Sequence, residues 1–304
     1  MDATLQALEA VKKEMPATRC RPGEPMKYHT SFKIGGRARA MLFPENTQEL
    51  IDLCRLLRKY GVKPLIMGNG TNLLVDDREL DIIVIKTTGL YNAERTGEYE
   101  ITAGAGILLS KLAVFASGCG LSGIEFIYGI PGTLGGAVLM NSGAYGGEMK
   151  NVLHSTRALS GEDYNIVTVT GGEHRFSYRN SRFSDSGEII LSSVIRLRGD
   201  DPDSIMNRME QLGIRRRESQ PLELPSAGST FKRPKEGYAA ALIEEAGLKG
   251  FAIGGAQVSP MHSGFVVNRG GATFADVLAV IEHVKATVFK RTGIELDVEV
   301  NIIS

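Results

Sequence analysis

Two stretches of this chain strip the backbone nearly bare: Gly68-Asn69-Gly70-Thr71-Asn72, and Gly129-Ile130-Pro131-Gly132-Thr133-Leu134-Gly135-Gly136. Glycine permits φ > 0 and lets a ligand come close to the main chain, so consecutive N–H groups can point at one guest. Anions, above all phosphates, are the natural guests of such loops. Gly-Asn pairs also build plain turns, and either loop taken alone reads equally as one. Pro131 fixes its own φ and makes the second loop a preformed cradle. Two cradles about 60 residues apart suit a ligand with two phosphates and aromatic ends.

Neither common nucleotide motif is present. A dinucleotide fingerprint needs GxGxxG, but Gly104-Ala105-Gly106 is followed by Ile107, Leu108 and Leu109. A Walker loop needs Gly-Lys, which the chain lacks throughout. His29, His154, His174, His262 and His283 show no ligand spacing, and Cys20, Cys54 and Cys119 form no CxxC pair. No metal site and no disulfide framework is expected.

The segments PLIMGNGTNLLVDD and GIPGTLGGAVLMNSGAYGGE resemble the FAD-binding domain of the family that includes vanillyl-alcohol oxidase. The resemblance to its UDP-N-acetylenolpyruvoylglucosamine reductase branch is much closer and runs from about Thr30 to the last strand. It implies that Gly68, Asn69, Gly70, Thr71, Asn72 and Leu73 wrap the FAD pyrophosphate. Gly129, Ile130, Pro131, Gly132, Thr133, Gly135, Gly136, Ala137, Asn141, Gly143 and Ala144 would line the flavin. FAD would be bound non-covalently, which leaves His29 a structural residue. NADPH would supply a hydride that passes through FAD to the methylene carbon of an enolpyruvyl ether on a UDP-sugar, a step of peptidoglycan synthesis.

Such a reaction needs a proton for the opposite carbon and groups that meet the charge swelling toward the carboxylate. By resemblance, Ser229 in SAGSTFKRP is the proton donor, and Arg179 in FSYRNSRF and Glu299 in DVEVN stabilise the enolic intermediate. The planar guanidinium of an arginine matches a carboxylate in two-point fashion. Arg217 and Arg233 would meet the UDP phosphates, with Tyr178 and Gln257 as further substrate contacts. Residues 180–228 hold no tyrosine, so the chain resembles the shorter branch, without the insert whose tyrosine closes over substrate. An FAD oxidase or dehydrogenase of a small alcohol or lactone, or a non-catalytic nucleotide-binding module, would explain the glycine loops but not the Ser229, Arg179 and Glu299 combination.

These residues need a frame. Asp2 is expected to cap a helix with Leu5, Leu8, Val11 and Met15 on one face, and Asn46 or Thr47 a second with Leu50, Leu53, Leu57 and Tyr60 inward, ended by Gly61. Strands are expected at about 37–43, 63–67, 82–87, 99–104, 155–160, 164–170 and 189–197, with a helix at 106–117. Beyond Gly199-Asp200-Asp201-Pro202 come a helix ending in Arg215-Arg216-Arg217, the SAGSTFKRP loop, two further helices and a final strand over IELDVEVNII. In that strand, alternation puts Asp297, Glu299 and Asn301 opposite Leu296, Val298, Val300 and Ile302. Strands and helices mix without a steady βαβ beat, so the fold is α+β. The resemblance implies a two-lobed FAD-binding domain of the vanillyl-alcohol oxidase (PCMH) type over 1–200, with lobes of about 1–85 and 86–200. A smaller α+β substrate domain would occupy 201–304, its last strand returning to the active site.

The 304 residues carry 35 Lys+Arg against 35 Asp+Glu, so there is no basic footprint for nucleic acid. No apolar run of about 18 residues is available to span a bilayer, and the amphipathic start is unlike a signal peptide. A cytoplasmic enzyme is expected, with a UDP-sugar and NADPH as its partners and no nucleic acid, membrane or obligate protein partner.

Overall fold

The computed structural model describes residues 2–304. The chain divides into two compact units, one built from residues up to Pro22, Arg39–Asn69 and Asp81–Arg215, the other from Gly23–Ala38, Gly70–Leu80 and Arg216–Ser304.

In the first unit, helix α1 (Ala3–Glu14) begins where the Asp2 carboxylate accepts the Thr4 N–H at 2.9 Å. It buries Ala7, Leu8, Ala10 and Val11. Leu5 is 43% exposed, so the apolar face is rotated from the predicted leucine stripe toward the two alanines. Helix α2 (Thr47–Lys59) is capped by Asn46, which accepts the Glu49 N–H, and buries Leu50, Leu53 and Leu57 as their spacing dictates. Both share a core with Ala40, Leu42, Ile83 and Ile85, from a sheet ordered Arg19–Pro22, Ala38–Phe43, Leu80–Lys86, Leu65–Met67.

A second core lies on a five-stranded antiparallel sheet, ordered Ile166–Thr170, Leu153–Leu159, Ile189–Arg196, Glu100–Gly104, Ala93–Arg95. Helices α3 (Leu109–Gly118), α4 (Leu134–Leu139) and α5 (Pro202–Ser219) contribute to it. The expected boundary at 199–204 is not where the units part: Ile205 and Met209 of α5 are each 1% exposed in this core, and α5 enters the second unit only at Arg216.

In the second unit, an antiparallel sheet runs Ser226–Ser229, Phe265–Asn268, Ala256–Val258, Ala252–Ile253. Helices α6 (Ala239–Glu245) and α7 (Phe274–Thr292) complete it. A capping box of Thr273 and Asp276 starts α7, and Gly293 at φ 71° ends it. Val277, Val280, Ile281, Val284 and Val288 of α7 form one stripe and share a core with Phe32, Ile34 and Leu74. The final strand is shorter than its alternation predicts. Only Asn301–Ile303 is regular, pairing in parallel with Leu73–Val75, and Ile302 is 42% exposed. Among the described residues no helix is long and apolar enough to cross a membrane.

Candidate active site

In the first unit the two glycine loops touch. A Cβ on Gly68 would lie 2.1 Å from Thr133 Oγ1, so a side chain fits at that position only if Thr133 turns away. Asn69 Nδ2 donates to the Pro131 carbonyl at 3.4 Å. The second loop is tied to the core behind it: Leu134 N–H donates to Ile107 O, and Gly135 N–H to Ala105 O. A Cβ on Gly135 would come within 3.0 Å of the Ala105 Cβ. Ala137, expected to line the flavin, is 2% exposed within the core.

Beyond this loop, Tyr178 and Arg179 form the tip of a tight turn in which Ser177 and Asn180 exchange backbone hydrogen bonds. Arg179 has φ 52°, its guanidinium carbon lies 5.4 Å from the Tyr178 ring centroid, and Nη1 donates to the Gly143 carbonyl at 3.4 Å. Ala144 pairs with Gly147. The Asn141 side chain, expected at the flavin, turns inward: it is 2% exposed and bonds Glu148, Lys150 and Ser177.

In the second unit, Gly70 has φ 64°, and a Cβ there would lie 2.1 Å from the His29 carbonyl oxygen. The Gly70 carbonyl accepts the Ser31 N–H at 3.1 Å, while Ser31 Oγ is buried with no hydrogen-bond partner. His29 Nε2 lies 2.8 Å from Glu24 Oε1. Ser229 ends the Ser226–Ser229 strand opposite Phe265, just after a bulge and after Gly228 at φ 79°. The next carbonyl, that of Thr230, accepts the Glu299 N–H at 2.8 Å. Ser229 and Glu299 therefore stand on neighbouring extended segments, with Phe231 bridged to Val298 alongside. Asn72 spends its amide here, donating to the Glu299 carbonyl at 3.1 Å, and Leu73 pairs with Asn301.

The substrate candidates differ among themselves. Arg217 is exposed. Arg233 Nε donates to Gly237 O at 3.3 Å, and its guanidinium lies 4.1 Å from the Tyr238 ring centroid. Gln257 Nε2 donates to Gly250 O at 2.9 Å, so its amide ties a turn.

An FAD pyrophosphate fits what the Gly68–Asn72 loop presents. Among the described residues, the N–H groups of Asn69, Gly70 and Thr71 donate to no protein acceptor, and three successive free amides make an anion nest. Ser31 adds a buried hydroxyl in want of a partner, a state that native proteins rarely leave unanswered. The sequence signal for Ser31 lay in its own short motif, Thr30-Ser31-Phe32. For Glu148 it lay in an acidic residue closing the glycine-dense segment.

Fold and loops together define an FAD-binding protein of α+β architecture. Residues 38–170 match the family described as FAD binding domain. Residues 220–303 match the family described as UDP-N-acetylenolpyruvoylglucosamine reductase, C-terminal domain. The chain is 48% identical over 280 residues to the UDP-N-acetylenolpyruvoylglucosamine reductase of Caldanaerobacter subterraneus subsp. tengcongensis, covering 92% of each. It is 43% identical over 290 residues to that of Syntrophomonas wolfei, covering 95% of this chain and 96% of the relative. Among solved structures, the reductase of Thermus caldophilus superposes with a TM-score of 0.79 at 31% identity, covering 94% of this chain and 99% of the other. The chain belongs to the UDP-N-acetylenolpyruvoylglucosamine reductase family.

Proposed function

We propose that this protein is an NADPH-dependent flavoprotein that reduces UDP-N-acetylglucosamine enolpyruvate to UDP-N-acetylmuramate in peptidoglycan synthesis. Membership of the reductase family favours this over an alcohol or lactone oxidase in the same fold. The observation that supports the mechanism is the bond from Glu299 N–H to Thr230 O, which brings together the backbone segments that carry Ser229 and Glu299.

The Gly68–Asn72 and Gly129–Gly136 loops and Ser31 would hold FAD without a covalent link, and the bound flavin would supply hydride transfer from NADPH to the methylene carbon of the enol ether. The residues handle the rest of the charge. As the methylene carbon gains a hydride, the electron pair of the double bond moves toward the carbon that bears the carboxylate. Arg179 holds that carboxylate by its planar fork, as an always-protonated partner. Ser229 Oγ gives its proton to the carbon, completing the addition of hydride and proton across the bond, and is reprotonated from solvent. A free serine is a weak acid, so the neighbouring Glu299 carboxyl assists only when protonated or coupled to a proton path. Arg217 and Arg233 meet the diphosphate, with Arg233 reaching it from its place on Tyr238. We place the protein in the cytoplasm, where NADPH is supplied and where its three free thiols stay reduced.

The test separates the two half-reactions. Under anaerobic conditions NADPH should bleach the yellow protein, and the enolpyruvyl UDP-sugar should restore its colour. Ser229→Ala is expected to bleach at the wild-type rate and to lose about 10²-fold or more in the return, the scale of a general-acid contribution. Equal losses in both halves would reject Ser229 as proton donor. Rapid return on oxygen alone, with none on the UDP-sugar, would restore the oxidase reading.

A further inference from the structure

Arg179 sits in a left-handed backbone, φ 52°, which is costly for a non-glycine residue and persists only where neighbours over-determine it. The neighbours converge on Asn141, itself left-handed at φ 43° and 2% exposed. Asparagine is among the few side chains that take this conformation readily. Its Oδ1 accepts the Lys150 N–H at 3.0 Å. Its Nδ2 donates at 3.0 Å to Glu148 Oε2 and at 3.0 Å to the Ser177 carbonyl, where the Arg179 turn begins.

A second arm meets the same turn. Gly143–Ala144 pairs with Gly147–Glu148 as a hairpin, and the Gly143 carbonyl accepts from Arg179 Nη1. The hairpin ends at Glu148, whose carboxylate returns to Asn141 and also pairs with Lys150 Nζ at 2.8 Å. The Lys150 hydrogen bond holds the Glu148 carboxyl below its usual range. The Asn141 amide and the Arg179 charge add to this, against partial burial.

We propose that Asn141, acting with Glu148, is the positioning residue of the Arg179 turn, clamping the Ser177 carbonyl and the Gly143–Glu148 hairpin so that the guanidinium is presented to the substrate carboxylate in one orientation. The inference rests on the reading of Arg179 as the carboxylate partner. Asn141 acts through Arg179, since its side-chain bonds go to Glu148, Lys150 and Ser177.

Asn141→Asp is the diagnostic change. It keeps an acceptor for the Lys150 N–H and the tolerance for φ > 0, but sets an oxygen against Glu148 Oε2 and Ser177 O in place of the donor. The return half-reaction should fall about tenfold to 10²-fold, the range a misplacement near 1 Å produces. FAD content and bleaching by NADPH should stay near wild type, while the melting temperature falls because a second buried carboxylate faces Glu148. Adding Glu148→Gln, which supplies an amide donor to the new carboxylate, should recover part of the loss. In an Arg179→Lys background, Asn141→Asp should add little further loss, since both changes spoil one interaction.

A wild-type return rate in Asn141→Asp while Arg179→Lys is crippled would overturn the clamp and leave the role of Arg179 standing. A wild-type return rate in Arg179→Lys would overturn both. Additive losses in the double variant, or no recovery with Glu148→Gln, would also overturn the clamp. Should Asn141→Asp fail to fold, Glu148→Ala carries the test, because that side chain is 34% exposed. The same selective loss supports the clamp, and an unchanged return rate overturns it.

Discussion

At Gly68 and Gly70 one residue type answers two different obstacles. A methyl group on Gly68 would strike Thr133 Oγ1, the end of a side chain, whereas on Gly70 it would strike the His29 carbonyl, with φ 64° adding strain. A side chain can turn away; a main-chain carbonyl moves only with its segment. Gly70→Ala is therefore expected to cost about 2 kcal/mol or more and to lose FAD. Gly68→Ala should be milder and should regain part of its FAD content when Thr133 is also changed to Ala. Urea unfolding and flavin-to-protein ratios measure both, and equal losses untouched by Thr133→Ala would refute the distinction. The cradle itself was legible in the sequence because glycine has few reasons to cluster. Its opposing atoms were not, because Thr133 lies in another loop. Asn141 misled for a related reason: its amide suits a ligand, but buried amides must be satisfied, and Glu148 and Ser177 take both its N–H groups while Lys150 donates to its oxygen.

Secondary elements were legible where their ends carry chemistry. Asp2, Asn46 and Thr273 cap the helices they precede, and Gly61 and Gly293 follow helices at φ 71°. Helix α4 was hidden, because Gly135 and Gly136 oppose a helix by propensity while burial of Leu134, Ala137 and Val138 decides for it. Helix α5 was expected in the C-terminal domain because charged, turn-forming residues precede it. Its attachment instead comes from Arg208, whose Nε and Nη2 lie 3.1 and 2.9 Å from Glu125 Oε1, with Asp200 Oδ2 at 2.6 Å. Burial pushes the Glu125 carboxyl up, but its bonds to main-chain N–H groups, Arg208 and Ser122 outweigh this and leave it below the usual 4.5. A depressed carboxylate stabilises the fold above its unfolded pKa, and that contribution is lost as pH falls through the lower folded value. Arg208→Met should thus cost about 1–2 kcal/mol at pH 7, with the difference from wild type shrinking as pH drops below the ordinary carboxylate range. Urea titrations at neutral and acidic pH provide the check, and a gap that does not change with pH would exclude the pair as the anchor.

On the scale of the whole molecule, the second unit is assembled from three separated pieces of chain, and this was the least legible feature. Residues 23–38 and 70–80 are too short to announce a domain of their own, and no linker composition flanks them. Their burial settles their allegiance: Phe32 and Leu74 are 0% exposed and Ile34 is 2% exposed in the core formed with α7. Polar bonds repeat the message. Asn268 Nδ2 donates to Phe32 O at 3.0 Å, Phe274 N–H to Asp77 Oδ2 at 2.6 Å, and Asp76 N–H to Ile303 O at 2.8 Å. Each of the three apolar side chains contributes about 1.5–3 kcal/mol by burial, against a stability of about 5–15 kcal/mol for a whole domain. Removing them together takes away an amount comparable to the margin on which the unit stands, and the Asn301–Ile303 strand loses its partner, Leu73–Val75. A fragment comprising residues 216–304 is accordingly expected to show no cooperative thermal transition by circular dichroism and to be cut throughout by dilute protease. The intact chain should resist cleavage across the same residues. A sharp transition in the fragment would mean that Phe32, Ile34 and Leu74 only cover a core already complete without them, and that the C-terminal segment folds from its own sequence.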